Sequence, residues 1–297
     1  MTFLEKRMQD RYLKFILIMP CLVILVAVTI YPTIFTLLLS FREWSLIKSP
    51  QPGAFVGIHN YARAFGDPRF LNSIKVTGIF TLASVLSSLA LGLGIALLLS
   101  KETKFKRVLR TVLILPFAIS PVLVGVSWRF MFNPKFGLFD YLFGVIAPPL
   151  RDVVWLGNPV LAMAALVIAD IWQWTPFIAL ILLGGLTSIP VAAVDAAKVD
   201  GASDSQILVH VILPLLKPVI IVALLLKTMF SLKMFDQVFM LTEGGPGETT
   251  ETLTFYVFRT GFTFFDMGYA SALSYLLVIA LIFIAIVYTR FLFREAR

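Results

Sequence analysis

The chain has 297 residues, 59% of them hydrophobic and only 14% charged, with a mean hydropathy of +0.92 and a formal net charge of +8 at pH 7. Apolar surface on that scale exceeds what one water-soluble core can bury, which excludes a soluble enzyme or binding domain and makes lipid the solvent. The sole cysteine, Cys21, excludes an intramolecular disulfide, and one Cys with two distant histidines, His59 and His210, cannot build a metal site.

A bilayer crossing takes about 20 apolar residues in a helix, because backbone groups left unpaired in hydrocarbon are costly. Six segments meet that need, at about 15–41, 76–100, 111–132, 159–184, 218–241 and 267–289. The expected fold is all-α, one polytopic membrane domain over 15–292. The first span follows Glu5-Lys6-Arg7 and Arg11. Its apolar run is too long for a signal-peptide core and no small-residue cleavage site follows, so it reads as a true span, with Cys21 a small apolar core residue. In the second span Gly78, Gly92 and Gly94, and after the fourth Gly184-Gly185, are expected at close helix contacts.

Six spans put both termini on one side. With the amino terminus inside, segments 1–14, 100–110, 185–217 and 290–297 carry 14 Lys/Arg against 7 Asp/Glu, and the outer segments 9 against 8. Basic residues favour the cytoplasm, so residues 1–14, the 185–217 loop and the 293–297 tail are expected inside. The excess reports orientation and anionic headgroups; Lys104-Phe105-Lys106-Arg107, flanked by spans, is no nucleic-acid patch.

No Gly is followed by Lys-Ser or Lys-Thr, and neither His-Glu-x-x-His nor Gly-x-Ser-x-Gly occurs. The phosphate-cradling loop and the commonest hydrolase signatures are therefore missing, and no catalytic residue or cofactor site is assigned.

The polar loop between spans four and five holds Asp195-Ala196-Ala197-Lys198-Val199-Asp200-Gly201, then Ala202, with Leu213-Pro214 twelve residues after Gly201. Pro190 can open a short helix over Val191 to Lys198, Gly201 permits a sharp bend, and Ser203 can cap a second helix. This spacing resembles the coupling loop of ATP-binding-cassette importer permeases, which reads Glu-Ala-Ala, three residues, Gly, nine residues, Ile, one residue, Leu-Pro; here Asp195 and Val211 replace the Glu and the Ile.

Other segments resemble the carbohydrate-importing branch, the relatives of the maltose, glycerol-phosphate and lactose permeases. They include Tyr31-Pro32, Phe55 to Tyr61, Asp67 to Phe70, Leu115-Pro116, Trp128-Arg129, Trp172 to Phe177, Leu186 to Pro190 and Gly244 to Gly247. The resemblance implies one half of a heterodimeric pore, with a second homologous permease, an ATPase homodimer on the cytoplasmic face, a solute-binding protein outside and a carbohydrate-like solute. ATP and Mg would then belong to the ATPase, and this chain would be no enzyme. It also implies a place in the bacterial cytoplasmic membrane and contact of Asp195, Ala196, Ala197, Asp200, Gly201 and Ala202 with the ATPase. An ordinary amphipathic loop is the plain alternative.

Charges at membrane depth usually face the protein interior or a water-filled cavity. At about 1.5 Å per residue, Asp170 and Lys227 lie at similar depth, roughly 16 Å from the outer ends of their spans, so they are expected to pair or share a cavity. Trp172, Gln173, Trp174 and Lys233 complete a candidate pathway lining, since indole faces stack on sugar rings and amides bond hydroxyls. The alternatives are an aromatic belt, interhelical glue and a Lys233–Asp236 pair. A stand-alone secondary transporter or channel would instead use Asp170 and Lys227 for ion coupling. For Gly244 to Thr250, both a docking site for a delivering protein and a plain outer turn fit.

Overall fold

The computed structural model describes residues 3–100, 106–146 and 153–295. Part of the expected inner segment 100–110 (residues 101–105, with Lys104) and residues 296–297 of the tail lie outside that set. The described residues form helices and contain no strand, only the isolated bridges Arg42–Phe55 and Ser45–Asp266. Among the described residues, five helices are long and apolar enough to cross a membrane, six if one sharply bent pair counts as a span. The fold is that of a polytopic all-α membrane protein.

The chain divides into two compact units, Met1–Gly66 with Val257–Leu276, and Asp67–Tyr256 with Leu277–Arg297. In the first, α1 (Phe3–Leu25) runs through a π-helical turn at Val26–Ile30 into α2 (Tyr31–Ser40), so Pro32 lies within a continuous helix and leaves a carbonyl of the preceding turn without its N–H donor. Cys21 is exposed on α1, which corrects its reading as a core residue: the described residues do not cover it. In α3 (His59–Phe65), the buried Asn60 amide donates to the carbonyls of Ser40 at 2.9 Å and Arg42 at 3.0 Å. Arg63 joins Asp266 at 2.7 Å, with its guanidinium 4.0 Å from the centre of the Tyr269 ring.

The second unit is organised by α4 (Pro68–Ser100) against α8 (Pro159–Thr187). Ser73, Thr77, Thr81, Ser84, Ser88, Gly92 and Ala96 recur on α4 every three or four residues and are buried or nearly so; Ala162, Ala165 and Ala169 do the same on α8, where Ala179 is also buried. Small residues let the backbones approach closely: a methyl group added at Gly92 would lie 2.9 Å from Ile178 Cγ2. Gly185 makes the same kind of contact, but a Cβ at Gly78, Gly94 or Gly184 would meet nothing within 4 Å, so those three expectations fail within this chain.

Two apolar clusters fill the unit. One contains Phe80, Ala169 and Met234, the other Ala96, Ile178 and Ala223. Along each element a polar set falls between these positions: Ser84 and Ser88 on α4, Asp170 and Gln173 on α8, and Lys227 and Ser231 on α11 (Leu213–Leu232).

Two spans depart from the sequence reading. The third, expected unbroken over 111–132, consists of α5 (Lys106–Ala118) and α6 (Pro121–Met131), with a 93° bend between Thr111–Ala118 and Pro121–Met131. Pro121 is the cause, because it forces the preceding Ser120 to an extended ψ of 134°. The fifth, expected at 218–241, runs instead from Asp204 to Leu232, taking in α10 (Asp204–Ile207), a π-helical turn at Leu208–Ile212 and α11. It begins earlier because Gln206 accepts from the Ser203 N–H at 2.8 Å and its hydroxyl at 2.9 Å, and it carries the exposed His210 and Lys217 in its first turns. The polar loop thus shrinks from 185–217 to residues 188–203. The remaining helices are α7 (Leu138–Ile146), α9 (Val191–Val199), α12 (Leu253–Phe262) and α13 (Met267–Glu295).

Candidate functional site

The polar set on α8 and α11 builds one site. Asp170 and Lys227 are both fully buried and form an ion pair, and Ser84 on α4 donates to the same carboxylate oxygen. The second Asp170 oxygen and the hydroxyls of Thr81, Ser88, Thr175 and Ser231 are buried without a partner in the structure, so this layer is polar beyond its one ion pair. The Lys227 ammonium lies 5.3 Å from the centre of the Trp174 ring, which in turn packs on Phe230 at 4.3 Å and edge-on to Phe117 at 5.2 Å.

One turn further along, the same helices open onto a cavity of about 350 Å³ lined by Gln173, Trp174, Phe230, Lys233, Asp236 and Gln237, and closed by Phe117, Ile119 and Pro121 from the bent span. Gln237 donates to the Gln173 side-chain oxygen at 2.6 Å, and Gln173 donates to the Ile119 carbonyl at 2.8 Å. The Lys233 ammonium lies 5.5 Å from the centre of the Phe230 ring. Of the six sequence candidates, Gln173, Trp174 and Lys233 line the cavity and Asp170 and Lys227 pair beside it. Trp172 does not belong: it points to the opposite side of α8, 41% exposed, with its ring edge-on to Trp128 at 5.8 Å. Two residues per 3.6-residue turn separate Asp170 and Trp172 by about 200° around the axis, so helical periodicity alone separates them.

The sequence reading missed Ser84, Gln237, Phe230 and the bent span. It also missed the buried carboxylate of Glu251, which Arg69 grips at 2.7 and 3.2 Å, while Glu248 adds a contact at 3.1 Å. Asn72 donates to the Glu248 carbonyl at 2.9 Å, and the Leu253 N–H to Thr77 at 2.8 Å, so the 244–253 stretch is fastened to α4 and is no loose connecting turn.

The second candidate region is the polar loop. After Pro190, α9 ends at Val199, Gly201 takes φ +80°, the Gly201 N–H bonds the Lys198 carbonyl and the Ala202 N–H the Ala197 carbonyl, each at 3.0 Å. This is a glycine-terminated helix end in which the left-handed residue turns the chain and pairs the last carbonyls. No residue of α9 is buried; Asp195, Ala196, Asp200 and Gly201 are exposed, and Ala197 and Ala202 are partly so. Val191 and Val199 are 71% and 86% exposed, and Asp195 meets Lys198 at 3.6 Å. The shafts on either side are held close, since a Cβ on Gly185 would sit 2.6 Å from Leu216 Cδ1 and 2.9 Å from Val219.

Comparison with known proteins places these features. Residues 88–295 match the binding-protein-dependent transport system inner membrane components. The chain is 36% identical, over 95% of its length and 94% of the relative's, to the trehalose/maltose transport system permease protein MalF of Thermococcus litoralis. It is 34% identical, over 95% and 90%, to the sulfoquinovosyl glycerol transport system permease protein SmoG of Agrobacterium fabrum. Its fold is similar across both whole chains to one in the crystal structure of a bacterial ABC transporter involved in the import of the acidic polysaccharide alginate, with a TM-score of 0.84 at 21% identity. The chain, with its apolar spans and its match over residues 88–295, therefore belongs to the binding-protein-dependent transport system inner membrane component family and is a multi-pass permease subunit.

Proposed function

We propose that this permease imports an uncharged carbohydrate or sugar alcohol by alternating access, driven by ATP hydrolysed in a separate ATPase dimer. The observation that carries the reading is the pairing of an exposed lever with a neutral polyol-compatible cavity along the same two shafts. The lever is α9, with exposed Val191 and Val199 on a helix between two long spans. Apolar side chains so displayed on a polar loop fit a cleft in another protein.

The shafts α8 and α11 are tied at two levels, by Gly185 against Leu216 and Val219 and by Asp170 with Lys227. A push on α9 therefore moves them together and changes the shape of the cavity they line. Closure of the ATPase dimer on ATP draws the coupling helices of the two permeases together and turns the cavity from inward to outward. In this reading the amino terminus and α9 are cytoplasmic, ATP and Mg belong to the ATPase, and the partners are a second homologous permease, two ATPase copies and an extracytoplasmic solute-binding protein. Asp195, Ala196, Ala197, Asp200, Gly201 and Ala202 form the ATPase contact.

Charge decides between neutral and anionic solutes. Asp170 neutralises Lys227, leaving the cavity one cation, Lys233, and one anion, Asp236. Aromatic faces at Trp174, Phe117 and Phe230 and amides at Gln173 and Gln237 then favour a hydroxylated ring without net charge. Several relatives carry names that include trehalose or maltose. An ion-coupled secondary transporter needs a carboxylate free to load its ion, whereas Asp170 already holds an ammonium and a hydroxyl.

The test is uptake of labelled trehalose into proteoliposomes holding both permeases and the ATPase, with binding protein outside and ATP within. Uptake that stops when the ATPase is omitted supports the proposal. Accumulation driven by an ion gradient without the ATPase would overturn it.

A further inference from the structure

The 93° bend in the third span divides it between two neighbours. Its first arm, α5, packs on α8, with Phe117 stacked on Phe177 at 4.5 Å. Its second arm, α6, packs on the stretch after α11: a Cβ at Gly125 would lie 2.7 Å from Met240 Cβ and 3.3 Å from Gln237 Cα, and Arg129 meets Glu243 at 2.7 Å. Between the arms, the bend frees the Ile119 carbonyl from its helical partner. A buried carbonyl left unpaired is costly, and Gln173 supplies the missing donor at 2.8 Å. Gln237 then fixes Gln173 at 2.6 Å, and its own side-chain oxygen is buried at the edge of the cavity without a partner in the structure.

We propose that Gln237 is a positioning residue: through Gln173 it latches the bent third span over the cavity, and a solute hydroxyl unlatches it. A solute hydroxyl can donate to the Gln173 oxygen in place of Gln237 and accept from the released Gln237 amide, while a neighbouring hydroxyl donates to the unpaired Gln237 oxygen; the Gln173 amide is then freed from its fixed direction on Ile119. Occupancy of the cavity then loosens the seam between α5 and α6, the two walls that must part for the solute to pass. The solute class rests on the reading above; the latch itself does not.

The experiment uses the complete importer in nanodiscs, with spin labels at the exposed positions Leu115 and Leu123 on the two arms, in a Cys21→Ser background because Cys21 is also exposed. Gln237→Leu removes the bond to Gln173, and Gln237→Glu keeps the size but sets an acceptor against an acceptor; the second carries the test if the first fails to assemble. Loss of one buried amide bond shifts the latched-to-unlatched ratio about five-fold. Both variants are expected to broaden the solute-free distance distribution and to raise hydrolysis without solute by about that factor. Trehalose, added with binding protein, should broaden the wild type in the same direction and change the variants little.

The double variant Gln173→Leu/Gln237→Leu should match either single one, because both break one chain of bonds, whereas independent packing defects add. Distances and hydrolysis unchanged in both Gln237 variants of a transporting complex would overturn the latch while leaving the transport reading intact. A wild-type complex that does not import trehalose would instead weaken the assigned solute, and the solute-free distances would still decide the latch.

Discussion

Two aspartates, each paired with a lysine, stand in opposite surroundings in this permease. Asp170 meets Lys227 from a second helix, with both side chains removed from solvent and Ser84 donating to the same carboxylate oxygen. Asp195 meets Lys198 one turn away on its own helix at 3.6 Å, with both side chains about 60% exposed. The first pair is made within this chain and joins two helices. The second is weakly held and lies on a helix with no buried residue, as expected of a surface completed by another protein. Burial therefore separates residues that hold the permease together from those left on its surface, although sequence shows both as an Asp with a nearby Lys or a Lys at matching depth.

The sharpest way to break this contrast is to remove one member of the buried pair. Lys227→Met leaves the Asp170 carboxylate buried and uncompensated, a loss expected near 3–5 kcal/mol, measured as the unfolding midpoint of the purified complex. Asp170→Asn/Lys227→Met removes both charges and should recover most of that loss. Next come the two adjacent glycines. Gly185→Val drives a side chain into Leu216 and Val219 and should cost about 1–3 kcal/mol, while Gly184→Ala meets nothing within 4 Å and should gain up to about 1 kcal/mol from helix propensity.

Gly201→Val forces a β-branched residue to φ +80° and should cost about 1–2 kcal/mol, confined to the α9 end, so that uptake falls well before the complex unfolds. Asp195→Asn sits at the small end. An exposed pair at this spacing contributes roughly 0.2–0.5 kcal/mol, so thermal stability should hardly move while the number of ATP molecules hydrolysed per solute rises. A large stability loss from Asp195→Asn would erase the distinction between the two regions.

The polar loop was legible because its signals are local. Pro190 ahead of a helix, Gly201 after it and Ser203 with Gln206 act within a few residues, and each appears where the spacing puts it. Matching depth in antiparallel spans likewise brought Asp170 and Lys227 together. The bend at Ser120-Pro121 also had a local signal, the restriction proline places on its predecessor, which hydropathy over the whole run hides. Hydropathy likewise misplaced the fifth span, because His210 and Lys217 interrupt the apolar run without interrupting the helix.

What stayed illegible depends on which face of a helix meets which neighbour. Composition alone does not separate Gly92, pressed on Ile178, from Gly94, two residues on and open. Gln237 lies beyond the end of α11, and only the folded chain shows that it reaches Gln173. Trp172 was readable by periodicity, yet its place beside Gln173 and Trp174 in sequence outweighed its direction.

The central claim is that α9 is the part of this chain gripped by an external ATP-driven motor. In the assembled importer, with Cys21→Ser, a photoactivatable cross-linker on Val199→Cys tests it directly. Capture of the ATPase subunit is expected, with a yield that changes when ATP is added. Labelling of that position by a membrane-impermeant reagent from outside intact cells, with no ATPase captured, would contradict it.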